Sequence, residues 1–202
     1  MNTLRSLILL GAALCLPGCA HTEQPTAQAA PAPTSAPAPA AAAAPVALAD
    51  LKKELLQQCA KMHALLRAGK VEAFVTYMDP NVIRMAGSTA TIVQGTRHLF
   101  SAMAKYIKEV KAGPVTEVVD DGETLAAYVD VLMTYQLPAG RVLQKTYYVA
   151  SSRDRGKTWK FMSSQCKQAQ RQATRKWYPK LVARVAEPKC WAQKAPPTSA
   201  AP

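Results

Sequence analysis

Hydrophobic and polar positions along the 202-residue chain change rhythm several times, and each change marks a boundary. Residues 6–16 are almost unbroken apolar sequence, well short of the roughly 20 residues that span a bilayer. From 20 to 47 the pattern lapses into Ala, Pro, Thr, Gln and Ser. Helical spacing then begins: Leu48, Leu51, Leu55, Cys59, Met62 and Leu66 predict an amphipathic helix over 48–68. Asp50 suits the start of its dipole, and Gly69 its end. A second helix, 71–78, should stop before Asp79, because Pro80 disfavours helical geometry at the preceding residue. The short β-branched stretches 81–86 and 89–93, split by Gly87 and Ser88, predict a small hairpin. Thr96 is positioned to cap a third helix running to about 111, with Leu99, Met103, Ile107 and Val110 as its stripe. Beyond Gly113 and Pro114 the period falls to two. Strands are predicted at 115–119, 124–137, 142–152 and 158–165, separated by glycine-bearing turns at Gly122, Gly140 and Gly156. Helices followed by an antiparallel meander predict an α+β domain over 48–166. Residues 167–191 then read as a basic helical extension and 192–202 as a disordered tail.

The leader adds an address. In 1–18, Arg5 precedes the apolar run as in a secretory signal peptide. Leu16, Pro17, Gly18 and Cys19 resemble the lipobox of bacterial lipoproteins, with a small residue before the cysteine and an apolar one three residues before it. The resemblance implies cleavage before Cys19 and lipidation there by diacylglycerol and an N-acyl chain such as palmitate. Several acyl chains hold a membrane far more firmly than one. An ordinary secreted protein with a chance cysteine is the alternative. Ala20, in place of aspartate, points to the outer membrane facing the periplasm. Residues 19–47, with Pro25, Pro31, Pro33, Pro37, Pro39 and Pro45, read as a semi-rigid extended tether. At about 3.1 Å per residue it reaches at most on the order of 80 Å.

The order of elements, with Tyr77-Met78-Asp79-Pro80-Asn81-Val82 and Gln94-Gly95-Thr96-Arg97 at its joints, resembles the nuclear transport factor 2-like superfamily. The closing strands, Tyr147-Tyr148-Val149-Ala150-Ser151-Ser152 and Gly156-Lys157-Thr158-Trp159-Lys160-Phe161, carry the resemblance furthest. It covers roughly 48–165. It implies three helices on a curved antiparallel sheet around a cone-shaped pocket, and a homodimer through the sheet. The superfamily includes ketosteroid isomerase, scytalone dehydratase and polyketide-cyclase-like proteins, so the fold alone names no activity.

Isomerase chemistry of that kind needs a carboxylate base in an apolar cavity with donors for the developing enolate. Asp130 is the carboxylate inside a core strand, and Tyr128, Tyr135, Tyr147 and Trp159 are candidates to line a pocket. Two-residue alternation puts Asp130 opposite the more apolar set Val129, Val131 and Met133, which favours a solvent-facing carboxylate over a base. His98 reads as exposed. No metal site, phosphate-cradling loop, nucleophile elbow or cofactor motif is present in the sequence.

Of the cysteines left after processing, Cys166 and Cys190 are the favoured disulfide, closing a loop of about 25 residues worth roughly 3 kcal/mol. Pairing of Cys59 with either stays open. The net charge of +12 is concentrated late in the chain, where Lys167, Arg171, Arg175, Lys176, Lys180, Arg184 and Lys189 meet only Glu187. Behind a lipoprotein signal the available polyanions are anionic lipid, lipopolysaccharide and cell-wall polymers, and nucleic acid is not expected. The expectation is a lipid-anchored envelope protein whose domain binds a small apolar ligand or a protein partner without catalysis. Two alternatives stand beside it: an isomerase or dehydratase using Asp130 and tyrosines, and a module docking on anionic envelope polymers through its basic C-terminus.

Overall fold

The computed structural model describes residues 47–164 and 168–195. The leader, Cys19, nearly all of the tether, Cys166, Lys167 and residues 196–202 lie outside the described residues. Helices α1 (Leu48–Arg67), α2 (Val71–Val75), α3 (Pro80–Met85) and α4 (Thr89–Met103) come first, followed by a 3-10 turn, Ala104–Tyr106. Strands β1 (Ile107–Val115), β2 (Val119–Asp120), β3 (Leu125–Leu137), β4 (Gly140–Ser152) and β5 (Lys160–Ser164) follow. The extension forms α5 (Gln168–Trp177), α6 (Pro179–Arg184) and β6 (Trp191–Lys194). The fold is α+β: helices pack on an open antiparallel sheet ordered β1-β3-β4-β5, with β2 on β3 and β6 on β4.

Three local expectations give way. The hairpin expected over 81–86 and 89–93 is α3 and the start of α4. Asp79 accepts the Asn81 amide at the head of α3, and Ser88 accepts the Thr91 amide at the head of α4. Pro80 occupies the first turn of α3, where its missing N–H costs nothing. Ile92 then packs with Val71 and Val75, and Val82, Ile83 and Val93 pack against them, so burial on a helical face overrides β-branched propensity. Four helices therefore precede the sheet instead of three. The third predicted helix ends at Met103 rather than 111, because Ile107–Val115 pair with β3 as a strand. Lastly, Trp191–Lys194 form β6, although 192–194 read as tail.

Strand alternation sets up two buried layers. On one face Ala127, Val129 and Ala150 join Leu55, Cys59 and Met62 of α1, together with Trp159 and Phe161. On the other, Ala126, Tyr128, Tyr147, Val149 and Met162 are covered by Tyr178 and Leu181 of the extension. The long β3–β4 hairpin, paired from Leu125↔Ser152 to Leu137↔Gly140, is thus buried on both sides over its first half.

The extension returns to the sheet at the edge it left. Ser164 of β5 lies opposite Tyr147 of β4, and Trp191 of β6 lies opposite Lys145. One edge of β4 is therefore filled by two strands in succession, with α5 and α6 carried across the sheet between them.

Candidate functional site

The candidate residues fall on both faces of the sheet. Asp130, Tyr128 and Tyr147 share the face beneath the extension, because Asp130 pairs with Tyr147 across β3 and β4, and Tyr128 lies two residues along. Tyr128 and Tyr147 meet edge to face, with ring centroids 5.3 Å apart. Trp159 packs on the helix face beside α1. Tyr135 is of the same β3 parity as Val129 and Val131, so it too is separated from Asp130. No single pocket can be lined by all of these residues.

Asp130 lines a cleft of about 390 Å³ between the end of β1 and residues 186–188 of the extension. Pro114, Val115, Ala186 and Pro188 give it apolar walls, and Thr116, Lys145 and Glu187 line it with Asp130. The Asp130 side chain is 18% exposed and its Oδ2 is 2.6 Å from Lys145 Nζ. Gly113 makes the arrangement possible: a Cβ there would lie 2.9 Å from the Asp130 Cβ, so the bulged β1 closes on β3 only with glycine at that point. Glu187 accepts from the Tyr147 hydroxyl and from Arg171 Nε at 2.8 Å. Burial first, and Glu187 second, push the Tyr128 phenol up to about 12.

A second polar cluster lies on the helix face. Cys59 and His63, one helical turn apart on α1, place Sγ and Nε2 4.0 Å from each other, and the His63 ring nitrogen is 3.1 Å from Tyr148 Oη. Burial, helped by the nearby Arg67, lowers His63 to about 4, and burial pushes the Cys59 thiol up to about 12. Burial likewise raises Tyr148 and Tyr135. At neutral pH the pair is thiol and neutral imidazole, the reverse of the thiolate that nucleophilic chemistry uses. The sequence signal was present in the four-residue spacing of Cys59 and His63, but an apolar stripe gives no hint of Tyr148 across the core.

Asp79 is a third group that sequence reasoning passed over. It is 1% exposed. It caps α3 through the Asn81 amide at 2.8 Å, and its Oδ2 accepts from Ser151 Oγ at 2.7 Å and from the Tyr178 hydroxyl. Its role is to fasten the extension to the first face-to-face layers of the core.

Of the basic candidates, Arg171 is paired with Glu187, while Arg175 and Lys176 are exposed; Lys167 lies outside the described residues. His98 is exposed on α4. Cys190 is disulfide-bonded and Cys59 is a buried free thiol, so Cys59 takes no part in a bridge. Among the described residues, no cluster of His, Cys, Asp or Glu could hold a metal ion, and no helix is long and apolar enough to cross a membrane. No family model, curated protein or solved structure matches the chain.

Proposed function

We propose that this chain is an envelope lipoprotein, anchored at Cys19 to the outer membrane and facing the periplasm. Its tethered domain, of nuclear transport factor 2-like type, binds a small ligand with an apolar body and performs no catalysis. The observation that carries the reading is the Asp130–Lys145 ion pair lining the 390 Å³ cleft. Oδ2 of this carboxylate is engaged by an ammonium at 2.6 Å, so the cleft presents an ion pair to a ligand rather than a lone base in an apolar cavity. The pair is well placed instead to orient a polar group while Pro114, Val115, Ala186 and Pro188 enclose the apolar remainder. The volume falls within the range of small-molecule sites. Burial keeps Cys59 as a thiol, so it supplies no thiolate nucleophile, and it lies with His63 in the core on the other face of the sheet from this cleft.

The test is mass spectrometry of small molecules that copurify with the parent chain and with Ala186→Trp, which fills the cleft. The ligand should be lost from the variant and kept in Asp130→Asn at reduced occupancy. A ligand found unchanged in Ala186→Trp would sink the cleft assignment. Conversion of that ligand by the parent chain and not by Asp130→Asn would replace binding with catalysis.

A further inference from the structure

The outer side of the extension is built differently from the rest of the surface. From 168 to 186 the sequence holds Arg171, Arg175, Lys176, Lys180 and Arg184 and no acidic residue. Thr174, Tyr178 and Leu181, at helical spacing, turn inward and are buried against the sheet. That fixes the remaining positions outward: Arg175, Lys176 and Lys180 are all exposed. Arg171 and Arg184 are held by Glu187 and Glu117, but Arg175, Lys176 and Lys180 make no ion pair with any described carboxylate. The turn between β4 and β5 adds to the same end of the molecule. Arg155 bonds Asp120, and Asp121 accepts the Lys180 and Leu181 amides at 3.0 and 3.1 Å, so the turn and the head of α6 meet at residues 120–121.

We propose that this outward face, centred on Arg175, Lys176 and Lys180, docks the domain on a bilayer surface carrying anionic phospholipid headgroups. The inference rests on the lipoprotein reading for its setting, since the tether keeps the domain within reach of a membrane. Charge complementarity selects the partner: exposed ammonium and guanidinium groups outside any described ion pair lower their energy beside phosphate diesters, and each contributes separately near such a surface. Asp120, near Lys180, is an acidic group that surface must accommodate.

The test uses the chain from residue 20 onward, so that neither the leader nor an acyl anchor contributes, and measures cosedimentation with vesicles. Binding to vesicles containing phosphatidylglycerol should exceed binding to phosphatidylcholine vesicles and should weaken as salt rises. The triple variant Arg175→Gln, Lys176→Gln, Lys180→Gln should lose on the order of 100-fold in affinity, at about fivefold per cation. A charge-matched variant, Lys53→Gln, Lys70→Gln, Lys108→Gln, removes three exposed cations elsewhere and should change it by only about threefold or less. Equal losses in the two variants would reduce the effect to net charge and overturn the proposal. So would the absence of any preference for phosphatidylglycerol, or binding confined to lipopolysaccharide or wall fragments. Incorporation of labelled palmitate into the wild-type chain and its loss in Cys19→Ser separately tests the anchor, so failure of one leaves the other readable.

Discussion

Asp79 is the residue on which the joining of core and extension turns. Its neighbours donate from three separate parts of the chain: Asn81 at the head of α3, Ser151 near the end of β4 and Tyr178 between α5 and α6. Removing the Tyr178 donor loses a hydrogen bond to a buried carboxylate, at about 1.5–3 kcal/mol, while Ser151 still donates to the same oxygen. Tyr178→Phe should lower the unfolding free energy measured in urea by that amount, while the secondary structure by circular dichroism stays unchanged. His63 makes a prediction about acid. Its folded value near 4 lies below the ordinary 6.5, so the unfolded chain binds more protons between those limits. Stability from this group is full above about 6.5 and is lost as pH falls toward 4, by about 2 kcal/mol between pH 7 and 5. Urea titrations at both pH values should show a smaller drop in His63→Gln than in the parent chain. Of these residues, Asp79 was legible only as the stop before Pro80, because a cap signal says nothing about partners 72 and 99 positions away. Asp130 was legible as the carboxylate of a core strand, and alternation separated it from the apolar face. Its cover by the extension was not, since alternation cannot say what packs on the polar side of a strand.

At the level of elements, α1 and the β3–β4 hairpin follow their sequence periods closely. They are long enough for periodicity to dominate. The stretch 80–93, which covers α3 and the start of α4, does not, because in a few residues a β-branched composition and an amphipathic helix look alike. There Ser88 and Asp79 as caps were the better guides. β6 was invisible for another reason: Trp191, Ala192, Gln193 and Lys194 are exposed, with no hydrophobic alternation, and form a strand because β4 offers a vacant edge. The Cys190 disulfide lies immediately before that strand. Cys190→Ser should therefore speed amide exchange through Trp191–Lys194 and at 142–145 of β4, leaving β5 protected. Loss of such a bridge typically costs about 2–4 kcal/mol, readable in the same denaturation series. Exchange that accelerates equally across β5 would show that the two strands unfold as one unit.

As a whole, the molecule has a sheet covered twice: by its first helices on one face and by its own C-terminal segment on half of the other. That second cover bears on the expected homodimer, since a partner sheet would have to seat itself beside α5 and α6 or displace them. It also puts the basic face outermost, so the charge read from the sequence acquires a direction. The division of the β4 edge between β5 and β6 reaches further than stability. Lys145 meets Trp191 only after the intervening chain has crossed the sheet, a long closure that belongs late in folding. Until then β4 presents bare amides and carbonyls at 142–145, an invitation to wrong pairing. β6, the last strand among the described residues, is thus the one that seals this edge, and a chain cut short before it would carry, in those open amides and carbonyls, a visible mark of being unfinished.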